Sequence, residues 1–562
     1  MKKFLLLFVL GSFAAWGYTQ SLCQIQDQQP LKLLSQSLKR SFKTLRKQQP
    51  PVYYLSYTYS DLDKYSLYIQ DGGVSYDFHG PDASLQVMVR VGSARLDNTR
   101  SLKKDRTYYN LVYTSVPAIT PNPDAFKMAL WRATQQAVEE AQQDFNRVQA
   151  DVQTAAQRSD DSADFVLPVK ASFCAQEAPL VFDADSIKTL LLKASELTKD
   201  KPFVLESSFS FSSTSGSRYF VDSVGTQLKT PVRLARLTYS VEGKTSDGTN
   251  LQRTRTYDVL TQQALPTQAQ LLADVAQSLQ ELHALTQAPE AEPATVPAIL
   301  KNRAMAVFVH EVLGHRVEGH RQKEDSFGKT FTDKVGQPVV SKLLTIVDDP
   351  TLAYFNRLPL RGFYQYDDEG VKAQPVVLVQ AGILKNFLMS SSPISGFPVS
   401  NGHGRAEPGK RPVARMGNTR VIAAQTVPYE QLEEQLLAEV KRQGAPYGVI
   451  IEDLSGGFTH TGTSFPQAFK LTPTLVFRIY PDGHKEVVRG VDMVGTPLVS
   501  FNEVMAAADD YEVFNGTCGA ESGWVPVSGI APSVLLRRLE LEKTAKEDTK
   551  PPFLPPPVVG EK

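Results

Sequence analysis

The sequence predicts an α+β protein: an N-terminal α+β domain with an antiparallel sheet and long helices, followed by a mostly β domain that holds one short apolar helix. Three observations predict it. Alternating apolar and polar residues around Asp71-Gly72-Gly73 mark an antiparallel meander near the start. Residues 124–158 and 267–285 are two long helical segments, the first carrying its apolar residues as a stripe at helical spacing. Beyond residue 298, short β-type segments dominate.

At 562 residues the chain exceeds one ordinary core, and 42% hydrophobic with 21% charged residues is a globular composition. Lys plus Arg equals Asp plus Glu at 60 each, so bulk charge supports neither nucleic-acid binding nor attraction to an anionic membrane. Met1-Lys2-Lys3 is a cationic start, Phe4 to Ala15 is almost wholly apolar, and Ala15 and Gly17 are small. This is the layout of a signal peptide over residues 1–17, and it predicts export to a periplasm or the medium. Gln20-Ser21-Leu22 lacks the small residues expected before a lipidated Cys23. No later run reaches about 18 apolar residues, so no transmembrane segment is expected. In an oxidising compartment, a Cys23–Cys174 bridge would leave Cys518 over, in keeping with a thiol bound to something else.

The elements follow in order. Leu31, Leu34, Leu38, Phe42 and Leu45 predict a helix over 30–48, with its basic residues on a solvated face and Pro50-Pro51 after its end. Strands are expected at 52–59, 66–70, 74–78 and 84–91. Ala137, Ala141, Phe145, Val148 and Val152 give the helix 124–158 its apolar stripe. Strands at 208–212, 218–221 and 235–241 and the helix 267–285 complete a domain over 18–286. The Pro- and Ala-rich stretch 287–297 reads as a linker to a domain over 298–545. That domain opens on an apolar helix over 298–313. Strands are expected at 343–347, 375–379, 449–451, 474–480 and 486–489, and a helix over 429–443 stops at Gly444. The Pro-rich, charged tail 546–562 is expected to be disordered.

Chemistry concentrates at His310-Glu311-Val312-Leu313-Gly314-His315, which follows the apolar run Ala304 to Val309. Burying a Glu beside a His is unfavourable unless they are paired or bind a metal. Two His five residues apart lie about 140° apart on a regular helix and cannot easily grip one ion. The helix must therefore bulge or break near Gly314. A third ligand is needed. His320, Cys518 (in Asn515-Gly516-Thr517-Cys518-Gly519) and Glu318 are candidates, and ligand chemistry alone leaves the choice open. His403 and Arg405, in a Gly-rich loop, are candidates for substrate binding, with loop bracing as the alternative. His460 reads as structural, and His79, His283 and His484 as surface residues.

His310 to Gly319 is followed in order by Val347-Asp348-Asp349-Pro350, Asp367-Asp368-Glu369-Gly370, Asn401-Gly402-His403-Gly404-Arg405, Arg415-Met416-Gly417-Asn418-Thr419, Gly456-Gly457 and Cys518-Gly519. Over roughly 298–542 this series resembles the TldD/PmbA family of metallopeptidases, and specifically its active, metal-binding branch. The resemblance implies a metal held by His310, His315 and Cys518, with Glu311 acting on water. It implies a peptidase for peptides or partly unfolded proteins, bound by strand addition in the closed cavity of a homodimer or of a heterodimer with a related chain. Two His and a Cys suit Zn2+ without excluding iron. The sequence departs from the family at His320, where an acidic residue is usual, and in its export signal. A non-catalytic peptide-binding or scaffolding protein and a metal-dependent amidase are the competing readings.

Overall fold

The computed structural model of the chain describes residues 21–100, 111–120, 122–154, 160–176, 179–245, 247–323, 327–459, 461–462 and 468–545. The expected signal peptide 1–17, the tail 546–562, His460 and the end of the long helix at 155–158 lie outside the described residues.

The first half is built on one long hairpin. Helix α1 (Gln29–Leu45) buries Leu31, Leu34 and Leu38 at the predicted spacing. The four short strands expected next are two long ones, β1 (Val52–Gln70) and β2 (Gly73–Val91), paired antiparallel along their length. Asp61 and Lys64 point to opposite faces at the middle of β1, where the strand is only partly covered, and polar side chains there leave the backbone ladder intact. Helix α2 (Pro123–Thr154) packs on β2, with Phe126, Val138 and Phe145 in that core.

Helix α3 (Ala184–Ser195) precedes strands β3 (Glu206–Asp222), β4 (Gln227–Lys244) and β5 (Asn250–Asp258), which widen the sheet. Helix α4 (Gln268–Gln287) starts on a capping box, with Thr267 and Gln270 each bonding the other's backbone. Leu55, Tyr57 and Tyr59 join the core under α1 and α2, while Tyr65, Leu67 and Ile69 join the core under α3 and α4. These odd-numbered positions share one face of β1, so both helix pairs cover the same side of the sheet. A Cys23–Cys174 disulfide ties the N-terminal segment down, and Cys518 is a free, buried cysteine.

The second half opens differently from expectation. Residues read as the end of a linker and the start of a helix form strand β6 (Ala294–Leu300), buried from Val296 onward. Pro and Ala made the stretch look open. Pro297 is accommodated because the neighbouring strand shifts register between Leu536 and Leu539, opposite it, and Pro is tolerated at such irregularities. Helix α5 (Asn302–Val312) therefore begins later than expected.

Next come β7 (Leu344–Asp348), β8 (Asn418–Ala423) and helix α6 (Tyr429–Gln443), which ends at left-handed Gly444 (φ 62°). Strands β9 (Gly448–Thr459), β10 (Phe469–Ile479) and β11 (Val491–Gly495) follow, then β12 (Glu512–Ala520), β13 (Gly523–Ala531) and β14 (Val534–Lys543). The pairings β9–β6–β14–β11–β10–β9 close into a barrel-like sheet. A second sheet contains β7, β8, β13 and β12 side by side. Helix α5 lies against strands of both, which is why its apolar residues are not confined to one stripe. Among the described residues, no helix is long and apolar enough to cross a membrane.

Candidate metal centre

The site grows from the end of α5. The α-helix stops at Val312 and the chain tightens into a 3-10 turn over Gly314–Val317, the break that the five-residue spacing demanded. Gly314 serves it by close approach: a Cβ there would lie 2.0 Å from Met416 Sδ. The break turns the His310 and His315 rings edge to face, 5.0 Å apart at 86°. Strand β12 supplies Cys518 from the neighbouring sheet, paired with Val525 of β13. His310 Nε2 is 3.0 Å and His315 Nε2 is 3.4 Å from Cys518 Sγ. One ligand atom from each lies within 4.8 Å of the others. Zinc at about 2.0–2.3 Å from such donors needs tetrahedral edges of roughly 3.3–3.8 Å; the His315–Cys518 separation already matches, and the His310–Cys518 contact has only to open by a few tenths of an ångström, so the donor set fits.

Other candidates fall outside this group of three. His320 opens a one-turn helix (His320–Lys323), with Nε2 3.7 Å from Glu521 and its ring edge-on to Phe327. Glu318, fully buried, lies behind His315 instead: its Oε2 is 3.3 Å from His315 Nδ1 and accepts from Arg321 Nε at 2.8 Å. Glu311 is beside the trio, with Oε2 3.9 Å from His315 Nε2.

Electrostatics follow from burial and crowding. Burial raises the Glu311 carboxyl above its usual range, against the opposing pull of His310 and His315. Burial also works against a Cys518 thiolate, yet His315, His310 and Arg415 outweigh it and hold the thiol well below its ordinary value. Burial opposes charging of both imidazoles, and Cys518 above all overrides it, so both titrate above their usual value. Glu318 is desolvated, but His315 and Arg321 hold it down to about 2. A thiolate against two imidazoles is charge a divalent cation can replace, without leaving the buried thiolate unpaired.

His403 and Arg405 are not brought to this trio. His403 is fully buried, with Nε2 3.2 Å from Asp348 and Nδ1 3.0 Å from Asn401, so its nitrogens brace the loop. Arg405 donates to the Met416 carbonyl at 2.5 Å and the Pro526 carbonyl at 2.7 Å, and its guanidinium lies over Tyr364. It also borders a cavity of about 390 Å³ between the two halves, with Arg218, Arg361, Trp524 and Val525. None of His310, Glu311, His315 or Cys518 lines that cavity, which is thus separate from the His/Cys cluster. His79 and His484 are exposed, the former hydrogen-bonded to Asp63 at 2.9 Å, and His283 rests on Phe203.

In the sequence Arg415 stands out only as part of the Arg415-Met416-Gly417-Asn418-Thr419 motif. The structure buries it completely, with Nη2 donating to the Cys518 carbonyl at 2.7 Å. A long-range contact of this kind leaves no local signal beyond the motif itself.

Residues 293–543 match the PmbA/TldA metallopeptidase C-terminal domain. A metalloprotease of Methanocaldococcus jannaschii is 30% identical over 230 residues, 41% of this chain and 47% of that protein. A zinc metalloprotease TldD homolog of Saccharolobus solfataricus is 25% identical over 248 residues, 44% of this chain and 51% of that protein. The chain thus spans about half the length of the curated relatives it matches. The crystal structure of TldE from Thermococcus kodakarensis shares the fold, at a TM-score of 0.61 with 15% identity over 90% of this chain and 100% of that one. Over 293–543 the chain thus carries a domain similar to that of the PmbA/TldA metallopeptidases, and the TldE structure shows that the fold is shared.

Proposed function

We propose that this chain is an active, metal-dependent peptidase of the TldD/PmbA family, with a Zn2+ ion held by His310, His315 and Cys518 and with Glu311 as its catalytic carboxylate. The observation that carries the reading is the convergence of those three ligand atoms within 4.8 Å, at the broken end of a buried helix, with Glu311 alongside. Zinc is also the metal in the name of the Saccharolobus relative. Three protein ligands leave a fourth position open to water or substrate.

A bound divalent ion supplies Lewis acidity, making water more acidic and a scissile carbonyl more electrophilic. The residues do the rest. Glu311, its basicity raised by burial, accepts the proton of the attacking water and returns it to the leaving amine. Glu318 holds His315 Nδ1, which leaves Nε2 turned toward Cys518. The substrates are peptides or partly unfolded proteins in extended form, and the working unit is a homodimer or a pair with a related chain. The Cys23–Cys174 disulfide supports an oxidising compartment, in keeping with the export signal expected at residues 1–17.

The test is metal content with a peptide-library digest. One zinc per chain, cleavage of peptides, and loss of cleavage in Glu311→Ala with zinc retained are expected. Less than one metal per chain, with activity unchanged in Glu311→Ala, overturns the peptidase reading. An intact library alongside turnover of small amides would turn it toward an amidase.

A further inference from the structure

We infer that Glu318 and Arg415 form a positioning pair that holds His315 and Cys518 in register for a shared metal ion; this rests on the metal-site reading above. The contacts close a ring. Glu318 Oε2 lies 3.3 Å from His315 Nδ1, and Glu318 Oε1 lies 3.4 Å from Arg415 Nε. Arg415 Nη2 donates to the Cys518 carbonyl at 2.7 Å, and Cys518 Sγ returns to His315 Nε2 at 3.4 Å. One buried guanidinium therefore touches the backbone of the thiol and the carboxylate behind the imidazole.

Each half has a distinct physical task. A carboxylate only accepts, so His315 donates from Nδ1, which leaves Nε2 as the nitrogen that would offer its lone pair to a metal in place of its proton. The guanidinium anchors the strand end that carries the thiol, since Nη1 also donates to Ser522 Oγ at 2.9 Å and to the Gly523 carbonyl at 3.0 Å.

Arg415 is itself held by its neighbours. Met416 fills the space that Gly314 leaves at the helix break. Asp348 accepts from Gly417 N at 2.9 Å and from Thr419 Oγ1 at 2.7 Å. Arg321 Nε gives Glu318 a further partner at 2.8 Å, so the carboxylate has little freedom to turn away. The segment Arg415 to Thr419 thus acts as the frame in which both ligand-bearing elements meet.

The test uses the full chain, with zinc affinity measured against a competing chelator and the absorption spectrum of the cobalt-substituted protein. Partners behind metal ligands are worth about 10–100-fold in affinity. Glu318→Ala is expected to weaken zinc binding about 100-fold. Glu318→Gln, whose carbonyl still accepts from Nδ1, is expected to lose about 10-fold, and Arg415→Lys a similar amount. The cobalt bands are expected to shift in Glu318→Ala and Arg415→Lys, a change that a loss of general stability would not make. Because Glu318→Ala leaves buried arginines without their carboxylate, the near-isosteric Glu318→Gln is decisive, with circular dichroism reporting the fold. Folded Glu318→Gln and Arg415→Lys proteins that bind zinc as tightly as the unmodified chain, with its cobalt spectrum, overturn the inference alone. An unmodified chain that takes up no zinc overturns the metal-site reading, and the inference falls with it.

Discussion

Two buried polar clusters, one in each half of the molecule, invite comparison. In the first half, Arg90 (1% exposed) donates to Asp97 (0%) at 2.8 Å, Tyr53 donates to the same carboxylate at 2.6 Å, and Arg100 meets Asp164 at 2.9 Å. The Asp97 backbone amide donates to Asp164, and the Arg90 guanidinium lies over the Phe165 ring. Each charge there faces an opposite charge or a hydrogen-bond donor. In the second half, two imidazole nitrogens and a thiol sulfur, all able to ligate a metal, converge on one small volume. Both clusters are buried, and both perturb the ionisation of their members. Burial and shifted ionisation therefore do not distinguish a ligand site from a structural one. Convergence of three metal-ligating atoms within 4.8 Å of one another does.

The comparison can be broken most directly at Glu311. Its replacement by Ala is expected to lower peptidase turnover about 10²–10⁴-fold while zinc content stays at one per chain. Steady-state kinetics with metal analysis checks this, and a mutant that keeps its rate removes Glu311 from the chemistry. The structural cluster should behave in the opposite way. Arg90→Met leaves Asp97 buried without its cation, and is expected to cost about 3–5 kcal/mol of stability with zinc affinity unchanged. Urea unfolding beside a zinc titration separates the two effects, and a loss of zinc with stability intact would erase the distinction.

Acid should reach the metal-site half through Glu318, whose folded-state ionisation is pulled from 4.5 to about 2. A carboxylate depressed on folding contributes stability that is present above its unfolded value and lost as pH falls toward the folded one. The metal-free chain is thus expected to lose on the order of 3 kcal/mol between about pH 4.5 and 2, and Glu318→Gln is expected to flatten that part of its stability curve. Equal slopes in the two proteins would contradict the assignment. The smallest effect is steric. Gly314→Ala places a methyl 2.0 Å from Met416 Sδ and is expected to cost about 1–3 kcal/mol, relieved by Met416→Ala in the double mutant. Thermal unfolding of the four-protein cycle measures the coupling, and additive losses would mean that the two residues do not meet.

Much of this was legible locally. The apolar spacing of Leu31, Leu34 and Leu38 marked a helix, and Gly444 with Lys441 and Arg442 marked the end of another. Errors came where a local rule met a tertiary exception. The polar stretch 60–65 falls outside the expected strands, yet a 19-residue strand runs through it because the strand is only partly covered there. Pro297 looks like linker, yet the opposing strand makes room for it inside a barrel. For His403 the sequence leaves substrate binding and loop bracing both open, and the contacts of its ring nitrogens with Asp348 and Asn401 are of the bracing kind.

By itself the sequence determined the demand at the centre of the site. Two His five residues apart after an apolar helix cannot face one ion unless the helix stops, and it stops at Val312. What only the tertiary structure decided is which third group meets them. His320 is near in sequence, but its short helix carries it to Glu521. Cys518 is 203 residues from His315, and the pairing of β12 with β13 beside α5 brings its sulfur to 3.4 Å. Helix periodicity is a property of neighbours along the chain, whereas a ligand delivered by a distant strand depends on sheet register, which no local pattern contains.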